Sequence, residues 1–157
     1  MPHFQRLSSP TPLRTALVQP DETTIAALWA KSVRSFGSST AEGIDVDTAI
    51  DAAYKALLQS AMALLESGGY RISGTTTHHR DTFYAAAGLG DWQLEKLDIE
   101  TEFVRVLRSR SVYQPVEGNA DDLARVHRLA RRVLPAVRSA IAARWPGLGP
   151  EMPGLSD

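Results

Sequence analysis

Residues 47–67 carry the pattern that most constrains the fold, a wide apolar stripe that repeats about every 3.6 residues. Recurrence at this spacing places the apolar side chains on one face of an α-helix. Asp45 or Asp47 can cap the start of the helix, and Gly68 and Gly69 can end it. The segment therefore predicts a long amphipathic helix with a buried face. The stripe consists of Ile50, Ala53, Tyr54, Leu57, Leu58, Ala61, Leu64 and Leu65.

Four other segments show helical spacing of apolar residues or helix boundary signals. We expect a short helix over residues 21–36, and another over residues 78–87 that ends at Gly88. Residues 91–112 predict a fourth helix, with Trp92, Ile99, Phe103, Val106 and Leu107 on its apolar side. The last helix starts at an Asn119 cap followed by two acidic residues and extends to about residue 145. The sequence therefore predicts an all-α fold.

Proline and glycine mark the connections between these helices. Four prolines among residues 1–20 indicate an arm, and residues 37–39, Gly-Ser-Ser, indicate a linker. We expect residues 70–77 to form a loop and the Gly/Pro-rich tail to be loose. The predicted organisation is an N-terminal arm with a short helix (1–39), a helical bundle (40–145) and a loose C-terminal tail (146–157).

The composition excludes several classes of protein. The chain has no cysteine, which rules out disulfides, thiolate metal sites and a cysteine nucleophile. No apolar run approaches the ~20 residues that a membrane helix needs. The first ten residues also lack the charged start and apolar run of a secretory signal. We therefore expect a cytoplasmic protein without a membrane association.

Charge is distributed unevenly along the chain. Residues 105–144 hold nine arginines and three acids, a net charge of +6, whereas residues 40–104 carry a net charge of −7. This asymmetry favours contact with nucleic acid or head-to-tail self-association. The alternative is that two oppositely charged helical layers simply face each other. The candidate nucleic-acid-binding residues are Arg110, Arg125, Arg128 and Arg132.

A polar strip lies opposite the apolar side of the predicted fourth helix. At about 100° per residue, Asp98, Glu102, Arg105 and Arg108 share one arc, and Tyr113 continues the side that carries the arginines. Arginine can hold a phosphate group through paired hydrogen bonds. The strip is therefore a candidate catalytic site, with Arg105, Arg108 and Tyr113 as its members. The alternative is a solvated or interfacial charge network.

The histidines do not form a metal-binding pattern. His78 and His79 are consecutive, so on a helix their side chains diverge by about 100° and cannot easily chelate one ion. We interpret them as residues at a helix start, and His127 as a polar residue of the last helix. The sequence also lacks a Gly-rich phosphate loop and a nucleophile elbow. We expect neither a metal nor a cofactor.

Several segments resemble the HEPN superfamily. Residues 49–88, AIDAAYKALLQSAMALLESGGYRISGTTTHHRDTFYAAAG, are similar to its first two core helices, with a Gly-Tyr-Arg turn and a histidine pair. Residues 105–115, RVLRSRSVYQP, resemble its third-helix motif, commonly Arg-x-x-Arg-Asn followed by Tyr or His. Residues 119–143 resemble the closing helix. The resemblance covers residues 44–145 and implies an up-and-down bundle of four to five helices and a two-fold homodimer.

The better-known activity of this family is metal-independent RNA cleavage by an Arg-x4–6-His motif. On this chain Arg108 takes the place of the arginine, Ser109 replaces the usual asparagine, and Tyr113 stands where the histidine would be. A tyrosine with the usual pKa of about 10 accepts a proton poorly at neutral pH. The resemblance therefore implies the family fold more strongly than its nuclease chemistry.

Two functions follow from these observations. The first is a dimeric interaction or regulatory module that binds RNA or pairs with a nucleotidyltransferase in a toxin–antitoxin or defence system, with Tyr113 as the residue that this partner would modify. The second is a metal-independent endoribonuclease that uses Arg105, Arg108 and Tyr113. We prefer the first, because arginines suffice for binding phosphate and the expected histidine is absent.

Overall fold

Three α-helices make up most of the computed structural model, which describes residues 15–72, 82–83, 85–86, 104, 107–110 and 118–155. They are α1 (Glu22–Ser39), α2 (Val46–Ser67) and α3 (Ala120–Arg144). Two short strands, β1 (Thr15–Leu17) and β2 (Tyr70–Ile72), and a 3-10 helix over Pro146–Glu151 complete the assigned elements. Residues 82–83, 85–86, 104 and 107–110 are also helical. The predicted helical class of the fold is confirmed.

Local capping signals set the ends of α2 as the sequence predicts. The Asp45 side chain accepts a hydrogen bond from the backbone N–H of Thr48 at 2.9 Å and another from its hydroxyl at 2.6 Å. Both hydrogen bonds favour the ionised carboxylate and lower the pKa of Asp45. At the other end Gly68 caps the helix, and Gly69 adopts a positive φ of 79°. Of the two possible caps, Asp45 is therefore the one used.

α2 is the most deeply buried of the three helices. Its apolar residues pack in one core with Ile25, Trp29 and Phe36 of α1. α3 contributes Leu134 and Ile141, both fully buried, to the same core. α1 is therefore part of the helical core. The buried side chains of α2 include Ile50, Tyr54, Leu57, Leu64 and Leu65.

α1 is longer than predicted, because the helix continues through Gly37, Ser38 and Ser39. The expectation of a linker at these residues is wrong. Phe36 and Ser39 are buried, and the Ser39 hydroxyl donates to the carbonyl of Phe36 at 2.6 Å. Burial of this last turn outweighs the low helix propensity of Gly and Ser.

A two-stranded antiparallel sheet replaces the loop that we expected after α2. Thr15 pairs with Ile72, and Leu17 with Tyr70, so the end of the predicted arm is also ordered. The turn before β2 depends on Gly69, where an added Cβ would lie 3.2 Å from the carbonyl oxygen of Val18. The amide N–H of Val18 in turn donates to the Gly69 carbonyl at 2.9 Å. The prediction of a loop at residues 70–72 is wrong because strand pairing depends on residues distant in sequence.

α3 begins as predicted and is held against α2 at its start. The Asn119 side chain accepts from the amide of Asp122 at 2.8 Å, which caps the helix. Just before it, the Gly118 amide donates to the Asp47 carboxylate at 2.9 Å. A Cβ at Gly118 would lie only 2.9 Å from the Ile50 side chain. A larger residue at position 118 would therefore require the end of the Ile50 side chain to shift.

The C-terminal segment packs on the helices, so the prediction of a loose tail is wrong for residues 146–155. Leu148 and Met152 are buried, and the Trp29 indole donates to the Pro153 carbonyl at 2.8 Å. Arg138 donates to the carbonyls of Met152 and Gly149 at 2.8 and 3.1 Å. Its side chain is therefore bound to the C-terminal segment rather than spread over the outer face of α3.

Within the ranges that the structure describes, no helix is both long enough and apolar enough to cross a membrane.

We expect Leu57→Ala to lower the free energy of unfolding by about 2–5 kcal/mol, since it leaves a cavity in the core. Leu57 is 1% exposed and lies in the middle of the buried face of α2. Chemical denaturation followed by circular dichroism measures the change. The control, Lys31→Ala on the exposed side of α1, should change it by no more than about 0.5 kcal/mol. Equal stability of the two variants would contradict this assignment of the core.

Candidate functional site

Arg108 is the one member of the predicted catalytic strip that lies within the described residues. Arg105 and Tyr113 fall outside them, as do Asp98, Glu102, His78 and His79. The proposed grouping of Arg105, Arg108 and Tyr113 therefore remains a prediction. What the structure gives is the environment of the Arg108 guanidinium.

The Arg108 guanidinium is bound to the side of α2. Its Nε donates to Asp51 Oδ1 at 3.1 Å, and its Cζ lies 5.4 Å from the ring centroid of Tyr54. Tyr54 is buried and makes an edge-to-face contact with Phe83, with ring centroids 5.9 Å apart. A guanidinium over an aromatic face is attracted by the electron-rich ring. We call Asp51, Tyr54, Lys55 and Arg108 the Arg108 cluster.

Asp51 binds two cations in this cluster. Its second oxygen, Oδ2, lies 3.0 Å from Lys55 Nζ, one helical turn further along α2. Burial disfavours the charged form of Asp51, but hydrogen bonds from Lys55 and Arg108, and their positive charges, outweigh it and lower the pKa of the carboxyl. Asp51 is therefore ionised at neutral pH and partly neutralises Arg108.

Asp51 and Tyr54 belong to this site, although the sequence did not single them out for it. Tyr54 was assigned only to the apolar stripe. The acidic residue four positions before Lys55 is a recognisable helix pattern, which could have indicated a charged side of α2. Nothing local connects that side to Arg108, which lies 57 residues away in sequence.

The predicted nucleic-acid-binding residues of α3 share the solvent side of the helix. Arg125, Arg128 and Arg132 are all exposed. At about 100° per residue they fall within roughly 60° of each other around the helix axis. Arg110 is also exposed, but on a different helical segment. The structure therefore places three of the four residues on one basic stripe and does not join Arg110 to it.

A neighbouring arginine has a different role. The Arg131 guanidinium lies 5.0 Å from the ring centroid of Phe36, which belongs to α1. This contact fixes the orientation of α3 against the last turn of α1. The basic stripe, which we define as Arg125, Arg128 and Arg132, lies beside that contact on the helix surface.

His127 links α3 to α1, in agreement with its interpretation as a polar residue of the last helix. Its Nε2 donates to the Ser39 carbonyl at 3.1 Å, and its ring packs edge-on against Phe36. Burial lowers the pKa of His127, the nearby charge of Arg131 lowers it further, and the hydrogen bond to Ser39 opposes both. The neutral ring is therefore the form that the fold favours.

The described part of the chain contains no group of three acidic or histidine side chains that could hold a metal ion. No protein-family model matches the chain, and neither a curated protein nor a solved structure does.

We expect Arg108 and Asp51 to be energetically coupled by about 1 kcal/mol, since both are partly shielded from solvent. The measurement is a double-mutant cycle of Arg108→Gln and Asp51→Asn, by denaturation at neutral pH. Because the pKa of Asp51 is lowered in the fold, the coupling is present above the usual pKa of an aspartate and is lost as pH falls and the carboxyl is protonated.

The control cycle pairs Lys55→Gln with Asp51→Asn, and its expected coupling is about 0.3–0.5 kcal/mol, typical of an exposed pair within a helix. If the two cycles gave the same small coupling, Arg108 would not be held by Asp51 in solution.

We also expect the stability contributed by His127 to decrease with acidification. Its pKa is lower in the fold than in the unfolded chain, so the unfolded chain binds the proton more readily. The contribution is therefore present above the unfolded pKa of about 6.5 and is lost as pH falls below it. The stability advantage of the wild type over His127→Gln, which can still donate to Ser39, should shrink from neutral pH to about pH 5. An advantage that grows with acidification would contradict the lowered pKa.

Proposed function

We propose that this chain is a HEPN-like interaction module that forms a homodimer and binds RNA through the basic stripe of α3. The observation that carries the proposal is the position of Arg125, Arg128 and Arg132, exposed together on the solvent side of one helix. Arginine side chains suit this role because their planar groups bind phosphate oxygens in pairs. Phosphate contacts supply most of the affinity of sequence-independent RNA binding.

The environment of Arg108 favours a protein that binds RNA over one that cleaves it. A nuclease would need this guanidinium to neutralise a phosphate during the reaction, but its Nε already donates to the ionised Asp51. A phosphate would meet the remaining N–H groups of a guanidinium whose positive charge Asp51 already neutralises in part. In addition, Tyr113 stands where the family's histidine would accept the proton.

The dimer and the regulatory partner rest on the resemblance of residues 44–145 to the HEPN superfamily. The described helices agree with it in type, since α2 and α3 correspond to the first and last helices of the resemblance. By the same resemblance we propose a nucleotidyltransferase as the regulatory partner and Tyr113 as the residue that it modifies.

The test is binding of a fluorescently labelled, structured RNA, measured by anisotropy in EDTA over a series of salt concentrations. We expect the affinity for RNA to fall steeply as the salt concentration rises. Arg128→Gln should reduce the slope of log affinity against log salt concentration by about 1, the value of one phosphate contact. The control is Arg34→Gln, which removes an exposed arginine from α1 instead. It should leave the slope unchanged.

Each other outcome has a definite meaning. A flat salt response, or equal effects of the two substitutions, would contradict RNA binding by the basic stripe. Cleavage of the RNA that is lost in Arg108→Ala would establish the endoribonuclease instead. Light scattering of the same samples should give the mass of a dimer, and a monomeric mass would contradict the proposed assembly.

A further inference from the structure

An apolar groove lies at the opposite end of α2 from the Arg108 cluster. It has a volume of about 250 Å³ and is lined by residues of α1, α2 and β2 and by Thr82. Leu28, Met62, Leu65 and Ile72 form its apolar lining. Pockets for drug-sized ligands typically measure about 300–1,000 Å³. This groove is therefore large enough for one ring with a short chain, but not for a nucleotide.

Glu66 gives the groove a buried negative charge. Its side chain is only 5% exposed, although glutamate is rarely buried without full pairing. The Oε2 atom accepts a hydrogen bond from Arg71 Nη2 at 3.2 Å. A carboxylate has about four lone-pair positions, so Glu66 can accept hydrogen bonds from Arg71 and from a ligand together.

The potential inside the groove is negative despite the Arg71 partner. The Arg71 side chain is 61% exposed, so solvent screens much of its charge, whereas the Glu66 carboxylate is shielded from solvent. Glu66 also lies in the last turn of α2, where the helix dipole adds further negative potential. Both effects favour a ligand cation over a neutral donor, and both disfavour an anion.

We propose that this groove binds a small apolar amine, with its ammonium group donating to the buried Glu66 carboxylate and its apolar body packed against Leu28, Met62, Leu65 and Ile72. A carboxylate accepts hydrogen bonds and cannot donate them, which selects the donor end of the ligand. The charge-assisted hydrogen bond supplies orientation, and the apolar lining supplies contact area. This site is separate from the basic stripe and does not depend on RNA binding.

The experiment compares three probes with one apolar body: phenethylamine, phenethyl alcohol and hydrocinnamate. Each is titrated into the full-length protein, and the methyl signals of Leu28, Met62, Leu65 and Ile72 are followed by NMR. We expect phenethylamine to bind at least about tenfold more tightly than the alcohol, since it adds a charge-assisted bond. Hydrocinnamate should not shift these signals.

Two variants locate the charge that selects the amine. Glu66→Gln should abolish the preference for the amine over the alcohol. Arg71→Gln should leave or strengthen amine binding, because it removes the competing cation while retaining the acceptor. If Arg71 were instead the ligand-binding charge, hydrocinnamate would bind to the wild type and lose affinity in Arg71→Gln.

A third variant protects the test against misfolding of Glu66→Gln. Met62→Trp adds bulk to the groove wall and leaves Glu66 in place, so it should weaken both the amine and the alcohol. The circular dichroism spectrum and thermal transition of each variant verify its fold. Equal responses of the wild type to all three probes, or no response to phenethylamine at millimolar concentration, would overturn the proposal.

Discussion

Burial of α2 is the interaction on which the rest of the structure depends. Its apolar face is covered by Ile25, Trp29 and Phe36 of α1, and α3 adds Leu134 and Ile141 to the same core. Fully burying a large aliphatic or aromatic side chain contributes about 1.5–3 kcal/mol, which gives this face the largest share of the favourable energy. Because α2 is fixed on its apolar face, its polar residues also acquire fixed positions. The Arg108 cluster and the groove at Glu66 both use these residues.

The contacts between α1 and α3 hold the remaining side of the core together. Phe36 receives the Arg131 guanidinium and the edge of the His127 ring, while His127 also donates to the Ser39 carbonyl. The hydrogen bond from His127 gives a partner to a carbonyl in the last turn of α1, where helical carbonyls lack donors within their own helix. They also explain why the last turn of α1 is helical although it contains Gly37 and two serines. The basic stripe lies on the solvent side of α3.

Local patterns predicted the features that depend on local forces. The bounds of α2 follow from the apolar stripe, the Asp45 cap and the Gly68-Gly69 stop, all of which lie within one segment. The start of α3 follows in the same way from Asn119. The errors concern contacts between distant segments. Thr15–Leu17 forms a strand because it pairs with Tyr70–Ile72. The C-terminal segment packs on the helices because Leu148 and Met152 are buried in the core.

The candidate sites also differ in whether they depend on one helix or on contacts between distant segments. The sequence named Arg125, Arg128 and Arg132 as candidates without grouping them, and their common side of α3 follows from helical geometry once the bounds of that helix are known. Helical spacing could not show that Arg108 reaches back to Asp51, since the partner lies on another helix. Glu66 attracted no interpretation from the sequence either. The Glu66 carboxylate is unusual because it is buried, and its burial results from the packing of α1, α2 and β2.

The two acidic residues of α2 that bind arginines show how the same pair of groups can have different roles. Both oxygens of Asp51 are engaged, one by Arg108 and the other by Lys55. The charge of Asp51 is therefore shared between two cations, and its role is to hold Arg108 against α2. Glu66 is more deeply buried, and the arginine that it binds, Arg71, is mostly in solvent. Solvent screens the charge of Arg71 more than that of Glu66, so this pair, unlike the pair of Asp51 and Arg108, leaves a negative potential that a ligand cation can use.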